Sequence, residues 1–532
     1  MRADRVIVGG GTAGAILAAR LSADPQQRVL LIEAGTTPNS PWINVPAGFS
    51  KLLVDPLWNW RFWSEPEQGT GMRAISIPRG RGLGGSTLIN GGIAVRGQPG
   101  DYDRWAELGA DGWDWNSVEP YFRRFERWSG TAGMPAPSRG DSGPMHITAV
   151  RERHRLGDAF VEAAVAAGHP RNDDYNAGDQ AGFGPYQVFQ RHGRRWSVYD
   201  GYLQPALHRP NLQVITNAVV TRLLIAEGRC SGVEFIADDQ SVVQIHAERE
   251  VLLCAGSVQS PQLLELSGVG RPEILQALGI PLVHALPGVG ENYQDHYAVR
   301  MNWRVKGAIT INQRARGARL ALEVLRYATR RRGLLTLGTG LVHGFFSTAS
   351  ADGSPDVQIF MVDASYANAA ERVLDRFPGM TVGITQLRPK STGSIHSRSA
   401  DPRAAPMIQP RFLTVPGDTE VIVDAIRIVR EIMTQPAIAR HVDAELSPGS
   451  ACLDDDALCD WVRQTGQTIY HPVGTCRMGS GPDAVVDSRL RVHGIDGLRV
   501  VDASVMPAIV SGNTQAAVMM IAERAADLIS AD

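Results

Sequence analysis

Three glycines near the start of the chain have the spacing of a turn that holds phosphate groups. Gly9, Gly11 and Gly14 fill a G-x-G-x-x-G pattern directly after the apolar run at residues 6–8. The first glycine permits a tight turn, the second lets a pyrophosphate approach the backbone, and the third lets the next helix pack on the strand. That helix, predicted over residues 15–21, offers free N–H groups and a partial positive charge to an anion. The pattern predicts a dinucleotide site.

A carboxylate follows at the position where a ribose contact is expected. Residues 29–33 read VLLIE, a second apolar strand that ends in Glu33, 19 residues after Gly14. A carboxylate at this place accepts hydrogen bonds from ribose hydroxyls. The turn and the acid together favour a nucleotide-binding α/β unit over an isolated glycine-rich loop.

Two longer motifs identify a family. Residues 80–90 read GRGLGGSTLIN and are followed by DYDRW at 101–105 and GWDW at 112–115, while residues 256–270 read GSVQSPQLLELSGVG. These segments resemble the first and second signatures of the glucose–methanol–choline (GMC) oxidoreductases. With residues 6–33 and the C-terminal motifs below, the resemblance covers nearly the whole chain. The motif style is similar to choline-dehydrogenase-like alcohol dehydrogenases, and the resemblance implies FAD as the cofactor.

The resemblance also implies an α/β fold with an α+β substrate part. A Rossmann-like FAD-binding domain would be joined to a substrate domain of antiparallel sheet and helices. We expect the FAD-binding domain to be assembled from residues 1–150, 191–295 and 461–532. The substrate domain would then take residues 151–190 and 296–460.

Cofactor contacts are implied residue by residue. The loop after residue 80 would run along FAD and under the flavin ring, residues 211–222 would form a strand meeting the adenine end, and Asp502 and Ala503 would touch the pyrophosphate and ribityl region. Ile89 stands where some members carry a flavin-linking His, which implies non-covalent FAD. The full set of predicted FAD contacts is Gly9, Gly11, Thr12, Ala13, Gly14, Glu33, Ala34, Arg81, Gly84, Gly85, Ser86, Asn90, Gly91, Gly92, Ile93, Val220, Ala255, Gly256, Asp502, Ala503, Asn513 and Thr514.

His471 and Asn513 occupy the positions of the family's catalytic pair. Residues 470–479, YHPVGTCRMG, are similar to the segment of the catalytic histidine, and SGNTQ follows at 511–515. A neutral imidazole can accept a hydroxyl proton at working pH, so that a hydride passes to flavin N5. Asn513 can donate a hydrogen bond to the developing alkoxide.

This pair predicts an oxidase or dehydrogenase that converts a primary alcohol to the aldehyde. A lyase of the same fold, similar to the hydroxynitrile lyases, would keep a base without net redox chemistry and is the alternative. Oxygen and a quinone or other carrier both remain open as electron acceptor.

The residues of the substrate pocket are expected within the substrate domain, at residues 296–460. Asp363 could neutralise a cationic substrate. His296 and His343 could line the pocket, although a structural role is the simpler interpretation of each. Of three closely spaced tryptophans, one is expected to wall the substrate channel and two to pack in the core: Trp58, Trp60 and Trp63.

Hydrophobic periodicity predicts the main elements. Helical patterns cover residues 155–167, 318–332, 418–434 and 515–530. Apolar strand-like runs cover residues 4–8, 28–33, 212–216, 249–254 and 498–502. Loops are expected at residues 133–144 and 348–356.

Composition excludes some classes of partner. The net charge of −2 gives no bulk attraction to nucleic acid or to an anionic membrane. The basic run Arg330–Arg332, one turn after Arg326, is interpreted as a solvated helix end. The five cysteines match no zinc pattern, so no metal is expected, and Cys254 in an apolar strand predicts a buried thiol without a disulfide framework. The cysteine usage and the absence of a signal-like start predict a cytoplasmic protein. The absence of an apolar run of ~18–20 residues predicts that it has no transmembrane segment.

Overall fold

Two seven-stranded sheets organise the chain. The computed structural model describes residues 2–130, 138–368 and 373–532. Residues 133–137 of the predicted loop 133–144 lie outside these ranges. One sheet is mostly parallel and the other is antiparallel, so the expected α/β class with an α+β part is confirmed.

The first sheet aligns the ends of its parallel strands. Its order is Leu212–Ile215, Val29–Ile32, Arg2–Val8, Val242–Leu253, Arg229–Ile236 and Val219–Ala226, with Leu498–Val500 also beside Val242–Leu253. Val8 pairs with Ile32 on one side and with Leu253 on the other, and Leu253 pairs with Val500. Ile215 also pairs with Ile32, so five strands end in one row and the loops that follow them begin at the same edge.

This sheet is covered on both faces. Val29–Ile32 is apolar and buried at every position, as a covered parallel strand requires. The helices Thr12–Leu21 and Gln515–Ser530 pack against each other within the same hydrophobic core. The first and last helices of the chain are thus neighbours beside the glycine-rich turn.

The second sheet is antiparallel and supports the opposite side of the molecule. Its order is Val442–Ser447, Tyr297–Val305, Gly379–Gln386, Val357–Val362, Val342–Phe346 and Gly182–Pro185, with Gln467–Thr468 also beside Tyr297–Val305. Helix Asp418–Thr434 packs on the fully buried strand Gly379–Gln386. It does so through a stripe spaced at helical intervals, Ile422, Ile426, Val429 and Met433.

The remaining sheets are smaller. A four-stranded sheet contains Glu126–Trp128, Met145–Ala149, Gln187–Arg191 and Arg194–Arg195. Strand pairs are formed by Phe62–Trp63 with Ser76–Ile77, Val269–Gly270 with His284–Ala285, Tyr366–Asn368 with Val373–Leu374, and Ser394–His396 with Met407–Gln409. The other α-helices are Pro41–Asn44, Phe49–Leu52, Pro99–Glu107, Trp115–Phe125, Arg155–Ala166, Gln204–Ala206, Gly256–Leu266, Pro272–Ala277, Ile311–Arg314, Gly317–Arg330, Pro436–Ala439 and Asp455–Thr465.

The four helices and five strand runs predicted from periodicity are confirmed, and most of their ends shift by at most two residues. The run at 249–254 is the end of a longer strand, Val242–Leu253. The single strand expected over residues 211–222 is wrong. It is two strands, because Asn217 adopts a left-handed φ of 56° and turns the chain between them. Val220 lies in the second of these strands, Val219–Ala226, which is the antiparallel edge strand of the first sheet.

Other sequence expectations can be read from the same structure. The five cysteines, all within the described ranges, are free thiols, and Cys254 is buried. Arg330, Arg331 and Arg332 are exposed at a helix end. Across the described ranges, no helix has the length and apolar composition needed to cross a bilayer.

Candidate active site

One large cavity extends between the carboxyl edge of the parallel sheet and the antiparallel sheet. Most predicted cofactor residues line it, from loops that are far apart in sequence: Gly9, Gly11, Thr12, Ala13, Glu33, Ala34, Gly85, Ser86, Asn90, Gly91, Gly92, Ile93, Val220, Ala255, Gly256, Asp502, Ala503, Asn513 and Thr514. His471 lines the same cavity. The fold thus brings the nucleotide loops and the predicted catalytic pair to one space.

The glycine-rich turn has the geometry that its spacing predicts. Gly9 has a φ of 99°, and a Cβ added to it would lie 2.5 Å from the Cys254 carbonyl oxygen. A Cβ on Gly14 would lie 1.9 Å from the Gly9 carbonyl, so this glycine serves helix packing. At Gly11 the nearest atom, Gly85 Cα, is 4.0 Å away. Gly11 therefore presents open backbone to the cavity, as a pyrophosphate requires.

The start of helix Thr12–Leu21 offers donors to that space. Gly11 stands at its N-cap, and no side chain caps this end. Uncapped backbone N–H groups and the positive end of the helix dipole suit a diphosphate. The residues present therefore fit the phosphate part of FAD.

Glu33 connects three loops around the cavity. Its Oε2 accepts from the Gly10 N–H at 2.7 Å, and its Oε1 accepts from the N–H groups of Gly35 at 2.7 Å and Gly82 at 3.0 Å. The ribose role was the one predicted from sequence. The structure adds a positioning role, because one buried carboxylate holds the glycine-rich turn and the second glycine-rich segment together.

Asp502 forms a similar junction on the far side of the turn. Its carboxylate accepts from the Gly256 N–H at 2.8 Å, the Ser260 hydroxyl at 2.6 Å and the Ser504 N–H at 2.8 Å. Burial raises the pKa of this carboxyl, and these hydrogen bonds oppose the rise. Its side chain is thus used within the protein, which leaves the backbone of residues 502–503 to face the cavity.

Three predicted cofactor positions lie behind the cavity wall. Gly14 packs the helix, as described above. The Gly84 N–H donates to the Gly10 carbonyl at 2.7 Å. The Arg81 guanidinium lies over the Trp60 ring, 5.0 Å from its centre, and donates to the Ala34 carbonyl at 3.3 Å. Gly84 and Arg81 hold neighbouring loops in place.

The predicted catalytic pair is in direct contact. His471 Nε2 lies 3.1 Å from the Asn513 amide nitrogen. On the other side of the ring, His471 Nδ1 lies 2.9 Å from Nδ1 of His296, whose Nε2 lies 3.0 Å from the Leu387 carbonyl. The Asn513 oxygen accepts from the Gln358 amide at 3.2 Å. These contacts form one chain of hydrogen bonds.

The chain of hydrogen bonds assigns the proton positions. A carbonyl only accepts, so His296 carries its hydrogen on Nε2 and its Nδ1 is a bare acceptor. His471 must then donate from Nδ1, which leaves its Nε2 lone pair directed at Asn513 and the cavity. Burial lowers the pKa of His296 to about 4, so this histidine stays neutral.

His471 is held as a neutral imidazole. Burial, His296 and the Arg79 guanidinium, in that order, lower the pKa of His471 well below its usual value. The backbone N–H of His471 donates to the Asp295 carboxylate at 2.8 Å, and Asp295 in turn accepts from the Tyr293 and Thr468 hydroxyls. The backbone before His471 is also constrained, because Tyr470 has a left-handed φ of 75°.

Asn513 depends on the glycine that precedes it. Gly512 has a φ of 143°, and a Cβ there would lie 2.4 Å from Val95 Cγ1. A side chain at position 512 would therefore displace the loop. The Gln358 contact then sets the amide orientation, with the nitrogen toward His471 and the oxygen away from it.

The residues predicted for the substrate pocket differ in whether they line the cavity. Trp60 lines the cavity, whereas Trp58 is buried in a small cluster. Trp63 is exposed rather than packed in the core. His343 is buried with its Nε2 3.1 Å from the Asn172 carbonyl, away from the cavity wall, and so has the structural role.

Asp363 and His296 also lie off the cavity wall. Asp363 is buried with an oxygen 3.5 Å from His154, so it does not face a substrate in this cavity. His296 meets His471 from behind, a contact that its sequence context did not predict. Further residues that line the substrate end without a motif to mark them are Tyr186, Arg300, Gln358, Phe360 and Thr385.

Comparison with known proteins assigns the family. Residues 3–298 and 389–522 match two family models described as GMC oxidoreductase. The chain is 39% identical to mitochondrial choline dehydrogenase of Mus musculus, over 98% of this chain and 89% of that protein. It is 38% identical to "alcohol dehydrogenase [acceptor]" of Pseudomonas putida, over 99% and 95% of the two chains.

A solved structure has the same fold. Formate oxidase of Aspergillus oryzae RIB40, in a structure concerned with modification of its FAD, superposes with a TM-score of 0.92 at 27% identity, covering 100% of this chain and 98% of that one. The chain belongs to the GMC oxidoreductases, FAD-dependent enzymes that oxidise alcohol CH–OH groups.

Proposed function

We propose that this protein oxidises a primary alcohol to the aldehyde with His471 as the base. The bare Nε2 of His471, presented to the cavity beside Asn513, is the observation that carries the proposal. His471 accepts the hydroxyl proton of the alcohol at Nε2, and the Asn513 amide donates to the alkoxide oxygen as its charge develops. FAD, when bound, would supply the acceptor for the hydride that leaves the carbinol carbon. The relatives described above are redox enzymes, which favours oxidation over the lyase alternative.

FAD retention is proposed to be non-covalent. Ile89, at the position where some members carry a flavin-linking His, lines the cavity and packs with Trp58 and Leu88. An alkyl side chain offers no nucleophile to the flavin. Acid or heat should release FAD into the supernatant. Colour that stays with the denatured chain would refute this proposal.

We propose an uncharged alcohol as the substrate rather than a quaternary ammonium ion. Among the described residues that line the cavity, the carboxylates are Glu33 and Asp502, and both belong to the nucleotide loops. The substrate end has aromatic and neutral polar side chains, including Tyr186, Phe360 and Thr385, together with the cationic Arg300. Such a lining stabilises apolar and hydrogen-bonding groups.

An anaerobic panel of alcohols tests this assignment. Flavin absorbance should bleach with aliphatic or aromatic primary alcohols faster than with choline, and admission of air then reports whether oxygen reoxidises the flavin. Fastest bleaching by choline would overturn the substrate class. Oxygen or a quinone-type carrier is proposed as the electron acceptor. The cytoplasmic location of the protein stays a prediction.

Substitution of Glu33 by glutamine should weaken FAD binding by about 10–100-fold. The substitution keeps the shape but removes a charged acceptor from three backbone N–H groups, and hydrogen bonds to charged groups contribute about 1.5–3 kcal/mol each. FAD release followed by fluorescence measures the change. The rate of flavin reduction in the fraction that retains FAD should stay close to wild type, because His471 and Asn513 are untouched. Unchanged FAD affinity would show that Glu33 does not organise this site.

His296 is proposed to be a positioning residue for His471. In the variant His296→Gln the side-chain amide can still donate to the Leu387 carbonyl and accept from His471 Nδ1, whereas leucine can do neither. We expect His296→Leu to slow flavin reduction by about 10–100-fold, as loss of an orienting partner does, and His296→Gln to keep most of the rate. The rate of flavin reduction, measured across pH in both variants, distinguishes a positioning role of His296 from a packing role. Equal losses in both variants would contradict the assignment.

A further inference from the structure

Helix Gly317–Arg330 carries its apolar residues on the side that faces solvent. Leu322, Val324 and Leu325 are 65%, 49% and 59% exposed, whereas Tyr327 is buried. Glu323, one turn before Tyr327, faces the protein and pairs with Arg314 at 2.8 Å. A surface helix ordinarily turns its apolar stripe toward the core. Here the orientation is reversed, so the apolar stripe has no partner within the described chain.

The neighbouring segment extends this apolar surface toward the active-site cavity. The Tyr327 hydroxyl donates to the Asn44 carbonyl at 3.4 Å, which joins the helix to residues 41–57. In that segment Trp42, Val54 and Leu57 are 39%, 55% and 52% exposed. Phe49 and Leu53, from the same stretch, line the cavity itself. We call the exposed apolar side chains of the helix and this segment the outer patch: Trp42, Val54, Leu57, Leu320, Leu322, Val324 and Leu325.

Charge identifies the occupant of the outer patch. Residues 314–332 contain seven arginines and one glutamate, a net charge of 7 − 1 = +6 in a chain whose total is −2. All of these arginines except Arg314 are exposed. Glu152 pairs with Arg326 and offsets one of these charges. A second copy of the chain would still bring two strongly positive surfaces together, which is unfavourable. An anionic lipid surface supplies the opposite charge and an apolar layer beneath it, and basic amphipathic helices are typical of that interface.

The dimensions indicate how the helix would lie. Its 14 residues span about 21 Å at ~1.5 Å per residue, short of the ~30 Å of a bilayer core. The helix suits an orientation in the plane of the headgroups, with its leucines directed toward the acyl chains and its arginines at the lipid phosphates. Trp42, with the Lys51 ammonium 3.8 Å from its ring centre, provides the aromatic and basic pair found at membrane interfaces.

We propose that the outer patch binds peripherally to an anionic bilayer, with helix Gly317–Arg330 in the headgroup region. The cavity wall formed by Phe49 and Leu53 then lies on the membrane side of the molecule. Binding itself does not depend on the proposed function. The advantage to catalysis does rest on it, because a lipophilic alcohol or quinone-type carrier dissolved in the bilayer would have a short path to the cavity.

Vesicle flotation of the FAD-loaded full chain tests the proposal. Vesicles of phosphatidylcholine alone are compared with vesicles that also contain phosphatidylglycerol. We expect binding to the anionic vesicles and little to the neutral ones. Leu322→Asp/Leu325→Asp should lower the anionic-vesicle affinity by about 100-fold. Arg330→Gln/Arg332→Gln should lower it by about 30-fold, since each basic residue near such a surface contributes a factor of roughly five.

Controls separate lipid binding from other roles. Leu453→Asp removes a leucine that is 67% exposed in a loop outside the outer patch, and this variant should bind vesicles like wild type. All variants should retain wild-type flavin reduction by a water-soluble alcohol, so a failed catalytic assignment would not mimic a failed membrane assignment. Absence of binding to anionic vesicles would overturn the proposal. So would a wild-type dimer that Leu322→Asp/Leu325→Asp converts to monomer without any vesicle binding, because the patch would then join two copies.

Discussion

Substitution of His471 by alanine is expected to slow flavin reduction by about 10²–10⁴-fold, the contribution of a positioned general base. The side chain removed is the one whose bare Nε2 meets the cavity, while the loops that we propose to hold FAD are formed elsewhere, around Gly11 and Glu33. FAD content should therefore match wild type. Stopped-flow mixing with a saturating alcohol in the absence of oxygen measures the rate directly.

The pH dependence of the wild-type rate gives a second result from the same experiment. A base must be neutral to accept a proton, and burial together with His296 and Arg79 lowers the pKa of His471. Protonation of His471 therefore begins only below the pH at which an exposed histidine titrates. The rate should stay level from pH ~7 down through ~6.5 and fall only at lower pH. A rate that already falls well above pH ~6.5 would show that the base is not His471 in this environment.

Substitution of Asn513 by alanine should cost about 10²–10³-fold in the same rate, the usual effect of removing one donor to a developing oxyanion. The base stays in place, so the pH at which the rate falls should change little. Gln358 holds the Asn513 oxygen at 3.2 Å, which directs the amide N–H groups toward His471 and the reacting alcohol.

Asn513→Asp is the matched variant for this prediction. A carboxylate has nearly the same shape but only accepts, and its negative charge beside the ring favours imidazolium. We expect Asn513→Asp to lose at least as much rate as Asn513→Ala and to shift the fall of the rate to higher pH. If Asn513→Ala reduces flavin at the wild-type rate, the amide is not the oxyanion donor.

Residues with a local sequence signal were predictable. Gly9, Gly11 and Gly14 serve a turn whose steric needs are set within a few residues, and their spacing therefore predicts both the turn and its function. The helix that starts at residue 515 and the strands that end at Val8 and Ile32 follow from periodicity and apolar runs.

Residues defined by distant contacts were not predictable in the same way. His296 meets His471 across 175 positions of sequence, and nothing in the local pattern at either residue encodes that contact. Gln358 reaches Asn513 from a strand of the antiparallel sheet. Such partners become visible only when the fold brings separate elements to one cavity.

Two elements show what the sequence left open. The family resemblance implied one strand over residues 211–222, but the left-handed Asn217 divides them. Asn tolerates that conformation better than most residues, so it was a weak signal of a turn. Helix Gly317–Arg330 was found from its periodicity, yet periodicity does not tell which face meets the protein, and the apolar face points outward.

Oxidation of an alcohol by bound FAD is the central claim, and one anaerobic mixing experiment tests it most directly. The FAD-loaded protein is mixed with excess primary alcohol without oxygen, and both flavin bleaching and the aldehyde formed are quantified. We expect one aldehyde for each flavin reduced, with bleaching slowed strongly in His471→Ala. Bound FAD that no alcohol reduces, or aldehyde that appears without flavin reduction, would contradict the account.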